Sequence, residues 1–331
     1  MKASSRIKGV IDAEYRRQRR KNMEIATIAV KQVIELFIII FAGACIYKAG
    51  LVNKDGTKTL SNILIYLIVS CMAFDSYTIE YDPQKSANLI KAFGYSTLLL
   101  VIGFIVSYAV TSRIKTDSKK ITRFACMFSN AGYMGFPLIK AMFGQEGLLY
   151  ATAFLTMFNI FVWTIGIVVV TGETRFTNAV VTIAKCPCII AVALGLVVYF
   201  ARISLPAVLS EPIGLIGDMN TPVSMLIIGI TIASSDLKRL LKNSKLLLII
   251  AVRMILIPAV CLLVMYVLNI RNMVAMVALI LEACPCAAIT TMFAIKFNND
   301  EELASGAVVF TTLLSIITLP VYTYIITLIG F

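Results

Sequence analysis

Residues 124 to 144 read Phe124-Ala-Cys-Met-Phe-Ser-Asn130-Ala-Gly132-Tyr-Met-Gly135-Phe-Pro137-Leu-Ile-Lys140-Ala-Met-Phe-Gly144. Nothing between Arg123 and Lys140 is charged, so the stretch suits the interior of a bilayer. Gly132, Gly135 and Pro137 nevertheless sit close together, and proline removes a donor from the helical ladder and clashes with the preceding turn. At membrane depth such freed backbone is tolerated only where it faces protein or a water-filled cavity. A broken helix is expected. Asn130 lies about two turns before the proline and would hold its amide in the break beside freed N–H groups. An anion fits there, helped by the positive end of a half-helix.

The same logic returns 148 residues later, around Pro285, in Glu282-Ala-Cys284-Pro285-Cys286-Ala-Ala-Ile-Thr290-Thr291-Met. Two interrupted apolar segments at matched positions point to a midplane transport site. Two proline kinks that only shape packing would be the plainer alternative. The pairing argues against it, because irregular backbone in lipid needs a cavity.

The rest of the chain agrees with a membrane setting. Of its 331 residues 59% are hydrophobic and 15% charged, against roughly 25% charged in a soluble domain. Soluble enzymes are therefore excluded. Uncharged runs such as 92–112 and 147–172 reach the length of about 20 residues that crosses a bilayer core. The net charge of +12 would suggest nucleic acid in a soluble protein, but these basic residues lie in short connectors and act as orientation signals. No nucleic-acid partner is expected; the partner is the lipid bilayer.

Apolar runs bounded by charges or turn residues give ten candidate spans, at 32–48, 59–77, 88–111, 122–143, 147–171, 182–202, 207–235, 244–269, 272–296 and 301–329. Asp82 after span two precedes Asp236 after span seven by 154 residues, close to the offset of the two prolines. The expected fold is thus an all-α membrane protein, ten transmembrane helices forming two inverted five-helix repeats. Residues 23–172 make the first repeat and 173–331 the second, with spans four and nine broken. An odd number of helices per unit makes the second unit enter from the opposite side.

Loops one, three, five, seven and nine hold 15 Lys and Arg against 6 on the other face. Positive-inside then puts the odd loops in the cytoplasm and both termini outside. The basic tail at 1–22, with eight Lys and Arg and no apolar core of a signal peptide, opposes this. Either Met23 is the natural start, or the tail is native and the protein is built the other way up; the loop asymmetry favours the first.

Charges inside a span are functional candidates because burial is costly. Glu282, three residues before Pro285, and Asp75, at the end of span two, are the coupling candidates. Lys31, Glu35, Lys140, Asp218, Arg253 and Lys296 lie near enough to span ends to snorkel. No His is present, so any proton coupling would use carboxylates. Two Cys-Pro-Cys triplets, Cys186-Pro187-Cys188 and Cys284-Pro285-Cys286, raise soft-metal chemistry. Cysteine as a small packing residue beside a proline break is the favoured account. No metal and no cofactor are expected.

Asn130 to Gly144, written N-x-x-x-M-G-x-P-L-x-K-A-M-x-G, resembles the fourth-helix motif of the auxin efflux carrier family, the plant PIN carriers and their prokaryotic relatives. The similarity continues through Asn159, Trp163-Thr164 and Gly166, Thr221-Pro222 with Gly229, and Pro285 with Phe297-Asn298. The resemblance implies a scaffold of spans 1, 2, 6 and 7 and a transport domain of the remaining spans. Spans four and nine cross at their prolines, and a small organic anion binds beside the crossing. The family's fourth-helix Asn contacts the substrate carboxylate, a role that passes to Asn130. Two positions depart from the pattern: Ser70 stands where span two usually has proline, and Thr290 replaces the second proline of the plant ninth-helix motif.

The expected function is a multi-pass cell-membrane carrier, not an enzyme, that moves small organic anions such as auxin-like or other carboxylates by an elevator-type movement of the crossing helices against the scaffold. Its substrate-binding set is Asn130, Gly132, Gly135, Pro137, Pro285, Thr290 and Thr291. A homodimer through the scaffold helices is compatible with this layout. Cation or metal translocation through the same crossing, or a ligand sensor without turnover, are the alternatives. The loop asymmetry predicts that 113–123 is cytoplasmic. With native thiols removed, Ser118→Cys should resist an impermeant thiol reagent in intact cells; labelling from outside would invert the topology.

Overall fold

The computed structural model describes residues 27–116, 118–172, 185–235 and 243–330. The basic tail at 1–22, Met23 and Asp236 lie outside the described residues, as does most of the connector at the expected repeat boundary. The described chain is helical and contains no strand. Seven helices are long and apolar enough to cross a membrane. We name the helices α1 (Thr27–Lys48), α2 (Asp55–Asp75), α3 (Pro83–Thr111), α4 (Lys119–Met127), α5 (131–143) and α6 (145–171). These are followed by α7 (Pro187–Phe200), α8 (Ala207–Ser234), α9 (Ser244–Val267), α10 (Met273–Glu282), α11 (Ile289–Lys296) and α12 (Glu301–Leu328).

The run Ala131–Thr171 is 41 residues long, about 60 Å at 1.5 Å per residue and twice a bilayer core. It turns back on itself at Gly144, whose φ of 63° and ψ of −152° suit only a residue without Cβ. Helix ends follow local chemistry. The Asp82 carboxylate accepts from Gln84 N and Lys85 N, with Pro83 in the first turn of α3; Asn272 and Asp300 cap α10 and α12 in the same way. These are the side-chain caps that satisfy otherwise orphaned N–H groups.

Two in-helix prolines follow one-turn π-helical insertions. Ala131–Gly135 precedes Pro137 in α5, and Val252–Leu256 precedes Pro258 in α9. Each widens the helix where proline cannot donate to the preceding turn. A further π turn, Leu64–Ile68, lies in α2 without a proline; Ser70 there donates to the Tyr66 carbonyl at 3.1 Å.

The buried core centres on α3, α5, α6 and α10, with α2 packed against α7 and α8. The connectors meet at one end. Lys245 Nζ donates to Ser118 Oγ at 2.9 Å, Ser118 Oγ to Asp300 Oδ2 at 3.1 Å, Lys120 Nζ to the Thr171 carbonyl at 2.9 Å and Asn299 Nδ2 to the Val170 carbonyl at 3.1 Å. Parts of loops three, five, seven and nine therefore share a face. At the other end Lys140 pairs with Asp218.

Helices α1 and α8 touch through glycines. A Cβ on Gly43 would lie 2.4 Å from the Leu226 carbonyl oxygen, and one on Gly229 would lie 1.9 Å from that of Ile40. Such an approach lets backbones meet where lipid gives no hydrophobic drive. Gly229→Ala should cost about 1 to 3 kcal/mol through overpacking, read as a lowered thermal midpoint of the detergent-purified protein; an unchanged midpoint would refute this contact.

Candidate functional site

Helix α4 stops at Met127, and Phe128 is extended at φ −107° and ψ 124°. On the other interrupted segment, α10 ends at Glu282 and α11 begins at Ile289. The two linkers lie antiparallel, Ser129 opposite Cys286. Asn130 N donates to the Pro285 carbonyl at 2.7 Å, and Ala287 N donates to the Phe128 carbonyl at 2.9 Å. Cys286 N donates to Thr311 Oγ1 of α12 at 2.9 Å. Close approach is built in: a Cβ on Gly135 would sit 2.4 Å from Leu281 Cδ2. Two stretches about 150 residues apart in sequence thus form one paired crossing.

Arg253, on the π turn of α9, reaches this crossing. Its side chain and that of Glu282 are both 0% exposed. Nη1 donates to the carbonyls of Cys126 at 3.2 Å and Met127 at 3.1 Å; Nη2 donates to the Glu282 carbonyl and, at 2.9 Å, to Glu282 Oε1. Arg253 therefore does not snorkel, as its position in the sequence suggested; it is held inside by acceptors from two helices. Helix C-termini carry partial negative charge and free carbonyls, and the guanidinium fork answers both. Glu282 is part of this ion pair and not an isolated carboxyl.

Helix α8 supplies donors to the carbonyls freed by the α5 π turn. Asn220 Nδ2 donates to the Gly132 carbonyl at 3.0 Å, and Ser224 Oγ to the Tyr133 carbonyl, four residues before Pro137, at 3.4 Å. Some polar atoms at the crossing stay unpaired although buried: Ser129 Oγ and Asn130 Nδ2 on the first linker, and Thr291 Oγ1 just beyond the second. Thr290 Oγ1 lies 3.3 Å from Cys286 Sγ. An unmet buried donor costs about 1 to 3 kcal/mol, so the free Asn130 amide is a place where an acceptor ligand would gain.

A cavity of about 240 Å³ adjoins the site, lined by Asp75, Pro137, Lys140, Asp218, Asn220 and Thr221 among others. Asp75 ends α2, with Thr78 Oγ1 donating to its Oδ1 at 3.3 Å. The larger space, about 820 Å³ between α9 and α12, is lined by apolar side chains such as Leu262, Leu263, Ile317 and Val321, with Arg271 as its one charge. Its lining is predominantly apolar, apart from Arg271 and the hydroxyl-bearing Tyr266, Thr318 and Tyr322.

Asn130, Gly135 and Pro285 thus meet at the crossing, and Pro137 opens onto the small cavity. Gly132 enters through its carbonyl. Arg253, Asn220, Ser224 and Thr311 were not singled out by sequence as site residues. Only Arg253 carried a usable signal there, a charge nine residues inside an apolar span.

The thiols do not gather with acidic groups: no set of three or more Cys, Asp or Glu is arranged as metal ligands among the described residues. Cys188 receives Asn159 Nδ2 at 3.8 Å, whereas Cys284 Sγ donates to the Ile280 carbonyl at 3.5 Å. Serine at positions 186, 188, 284 and 286 together should leave the thermal midpoint within about 4 °C, the effect of roughly 1 kcal/mol, and change no bound metal. One Cu or Zn per purified chain, lost in the quadruple variant, would restore the metal alternative.

A polytopic helical membrane protein whose two interrupted helices pair at their breaks around buried polar groups falls in the class of membrane transporters. The sequence profile of the family described as membrane transport protein matches residues 28–180 and 176–323. The chain belongs to this family, the auxin efflux carrier-like membrane transporters. It is 22% identical over 306 residues to an uncharacterized transporter of Methanothermobacter thermautotrophicus, covering 90% of this chain and 98% of that one. An uncharacterized transporter of Methanocaldococcus jannaschii is also 22% identical, over 90% of this chain and 99% of its own. A putative malonate transporter of Rhizobium meliloti is 23% identical over 89% and 94%.

Proposed function

We propose that this chain is a secondary carrier for small organic anions, carboxylates above all, and not an enzyme, working in the cell membrane by alternating access. The observation that carries this is the Asn130 amide: buried, at the paired linkers, with its Nδ2 donor unmet. Each interrupted helix contributes a C-terminus and an N-terminus to the crossing. Arg253 occupies the two negative ends, α4 and α10. The positive ends of α5 and α11 are left for an anion, as helix N-termini favour. The name of the Rhizobium meliloti relative, a putative malonate transporter, gives the same chemical class.

In this proposal the chain crosses the membrane ten times, as inverted five-helix repeats at 23–172 and 173–331. Spans 1, 2, 6 and 7 form a scaffold, and the crossing helices move against it. Asn130, Gly132, Gly135, Pro137, Pro285, Thr290 and Thr291 form the substrate site. Asp75 is favoured over Glu282 as the coupling group. Its cavity holds two carboxylates, Asp75 and Asp218, against the single ammonium of Lys140, which suits a cation or proton rather than the anion. Glu282 is already committed to Arg253. A homodimer through the scaffold is consistent with this arrangement.

Proteoliposome uptake of a carboxylate panel that begins with malonate, with and without Na+ and pH gradients, tests the class. Asn130→Ala should weaken substrate affinity by about 1 to 3 kcal/mol, roughly five- to a hundred-fold. Asn130→Asp should do worse by placing a like charge against the anion. If Asn130→Ala binds and transports like the unsubstituted chain, the site lies elsewhere.

A further inference from the structure

We propose that Arg253 is the positioning residue of the crossing: one guanidinium ties the C-terminal ends of α4 and α10 together and keeps the two linkers paired as a single unit. Its significance for transport rests on the carrier proposal, but its test needs no substrate.

Three observations carry it. First, the acceptors lie on both interrupted helices. Nη1 serves Cys126 and Met127 of the first, and Nη2 serves the carbonyl and carboxylate of Glu282 on the second. Second, all of this is dry: Arg253 and Glu282 are fully buried, where charge-assisted bonds are strongest and least replaceable. Third, the geometry needs a planar fork. Two nitrogens facing two helices can each be satisfied at once, whereas a lysine ammonium is a point charge on a flexible stem that cannot span both sets. The linkers themselves are joined by only two backbone hydrogen bonds, Asn130 to Pro285 and Ala287 to Phe128. The side chain that joins their preceding helices therefore decides whether those two bonds form in register. The π turn Val252–Leu256 is the local device that sets Arg253 in the chain opposite the crossing.

Native thiols report on this arrangement. Cys126 precedes the first linker, Cys284 and Cys286 lie in the second, and all three are 0% exposed; Cys188 is buried on α7 and bonded to Asn159, outside the contacts of Arg253. The full chain in lipid nanodiscs is treated with a membrane-permeant maleimide, and labelling at each cysteine is followed by mass spectrometry. Two variants are compared with the unsubstituted protein. Arg253→Lys keeps the charge and loses the fork. Arg253→Met with Glu282→Gln removes both charges, so that no unpaired buried ion is left to unfold the protein. We expect labelling at Cys126, Cys284 and Cys286 to rise about ten-fold or more in both variants, as local opening exposes thiols that burial keeps inert. Cys188 should stay within about two-fold. Full protection of the crossing thiols in the double variant would overturn the proposal. So would full protection in Arg253→Lys, which would make charge and not bridging the role. A rise at Cys188 in step with the others would also overturn it, since the effect would then be general loosening.

Discussion

The antiparallel pairing of two short linkers, Asn130 N–H on the Pro285 carbonyl and Ala287 N–H on the Phe128 carbonyl, is the constraint on which the rest of this molecule depends. Inside a bilayer no water is at hand to satisfy broken backbone, and each unmet group costs several kcal/mol. Two interrupted helices are consequently unaffordable one at a time. Each break provides the partner that the other lacks. Neighbouring side chains serve further backbone groups: Thr311 accepts from Cys286 N, Asn220 and Ser224 serve the Gly132 and Tyr133 carbonyls, and Arg253 covers the ends of α4 and α10.

Electrostatics follow from the same geometry. Two helices that stop and two that start at one place bring together both signs of helix dipole. The negative ends receive a fixed cation from the protein. Its charge is balanced in turn by Glu282, so the buried pair is neutral and oriented rather than reactive. The positive ends have no such resident counter-charge among the hydrogen bonds at the crossing. The carrier proposal draws its preference for anions from this asymmetry.

Much of the helical layout was legible from local chemistry. Charges and caps mark the helix ends: the span expected at 88–111 is Pro83–Thr111, longer by one turn because Asp82 and Pro83 start it. The gap left at 144–146 is the glycine turn at Gly144. The interruptions were readable because glycine and proline act on their own helix. What faced them was not. Arg253 was set aside as a residue able to reach water, since a sequence gives depth along one helix and not the partner across from it. Glu282 looked like a lone carboxyl for the same reason. Asn220 and Ser224 carried no signal, being ordinary polar residues of a span. Ser70 shows the converse: without the proline usual at that position in the resembling family, α2 still has a π turn, and the serine hydroxyl takes up the Tyr66 carbonyl.

Magnitudes then rank the seams of the structure. Opening the crossing would strand two backbone pairs and a buried cation with its four acceptor contacts, a cost far beyond one hydrogen bond, since a buried ion deprived of its partner alone costs about 3 to 5 kcal/mol. The contact of α5 with α8 is softer. It rests on two neutral hydrogen bonds, from Asn220 and Ser224, worth about 0.5 to 1.5 kcal/mol each. The Lys140–Asp218 pair beside it has side chains 42% and 63% exposed, where an ion pair contributes about 0 to 1 kcal/mol. Both soft contacts join α5, one of the crossing helices, to α8, a helix of the proposed scaffold. If the crossing helices move against the scaffold as proposed, these two contacts between α5 and α8 yield before the paired linkers do.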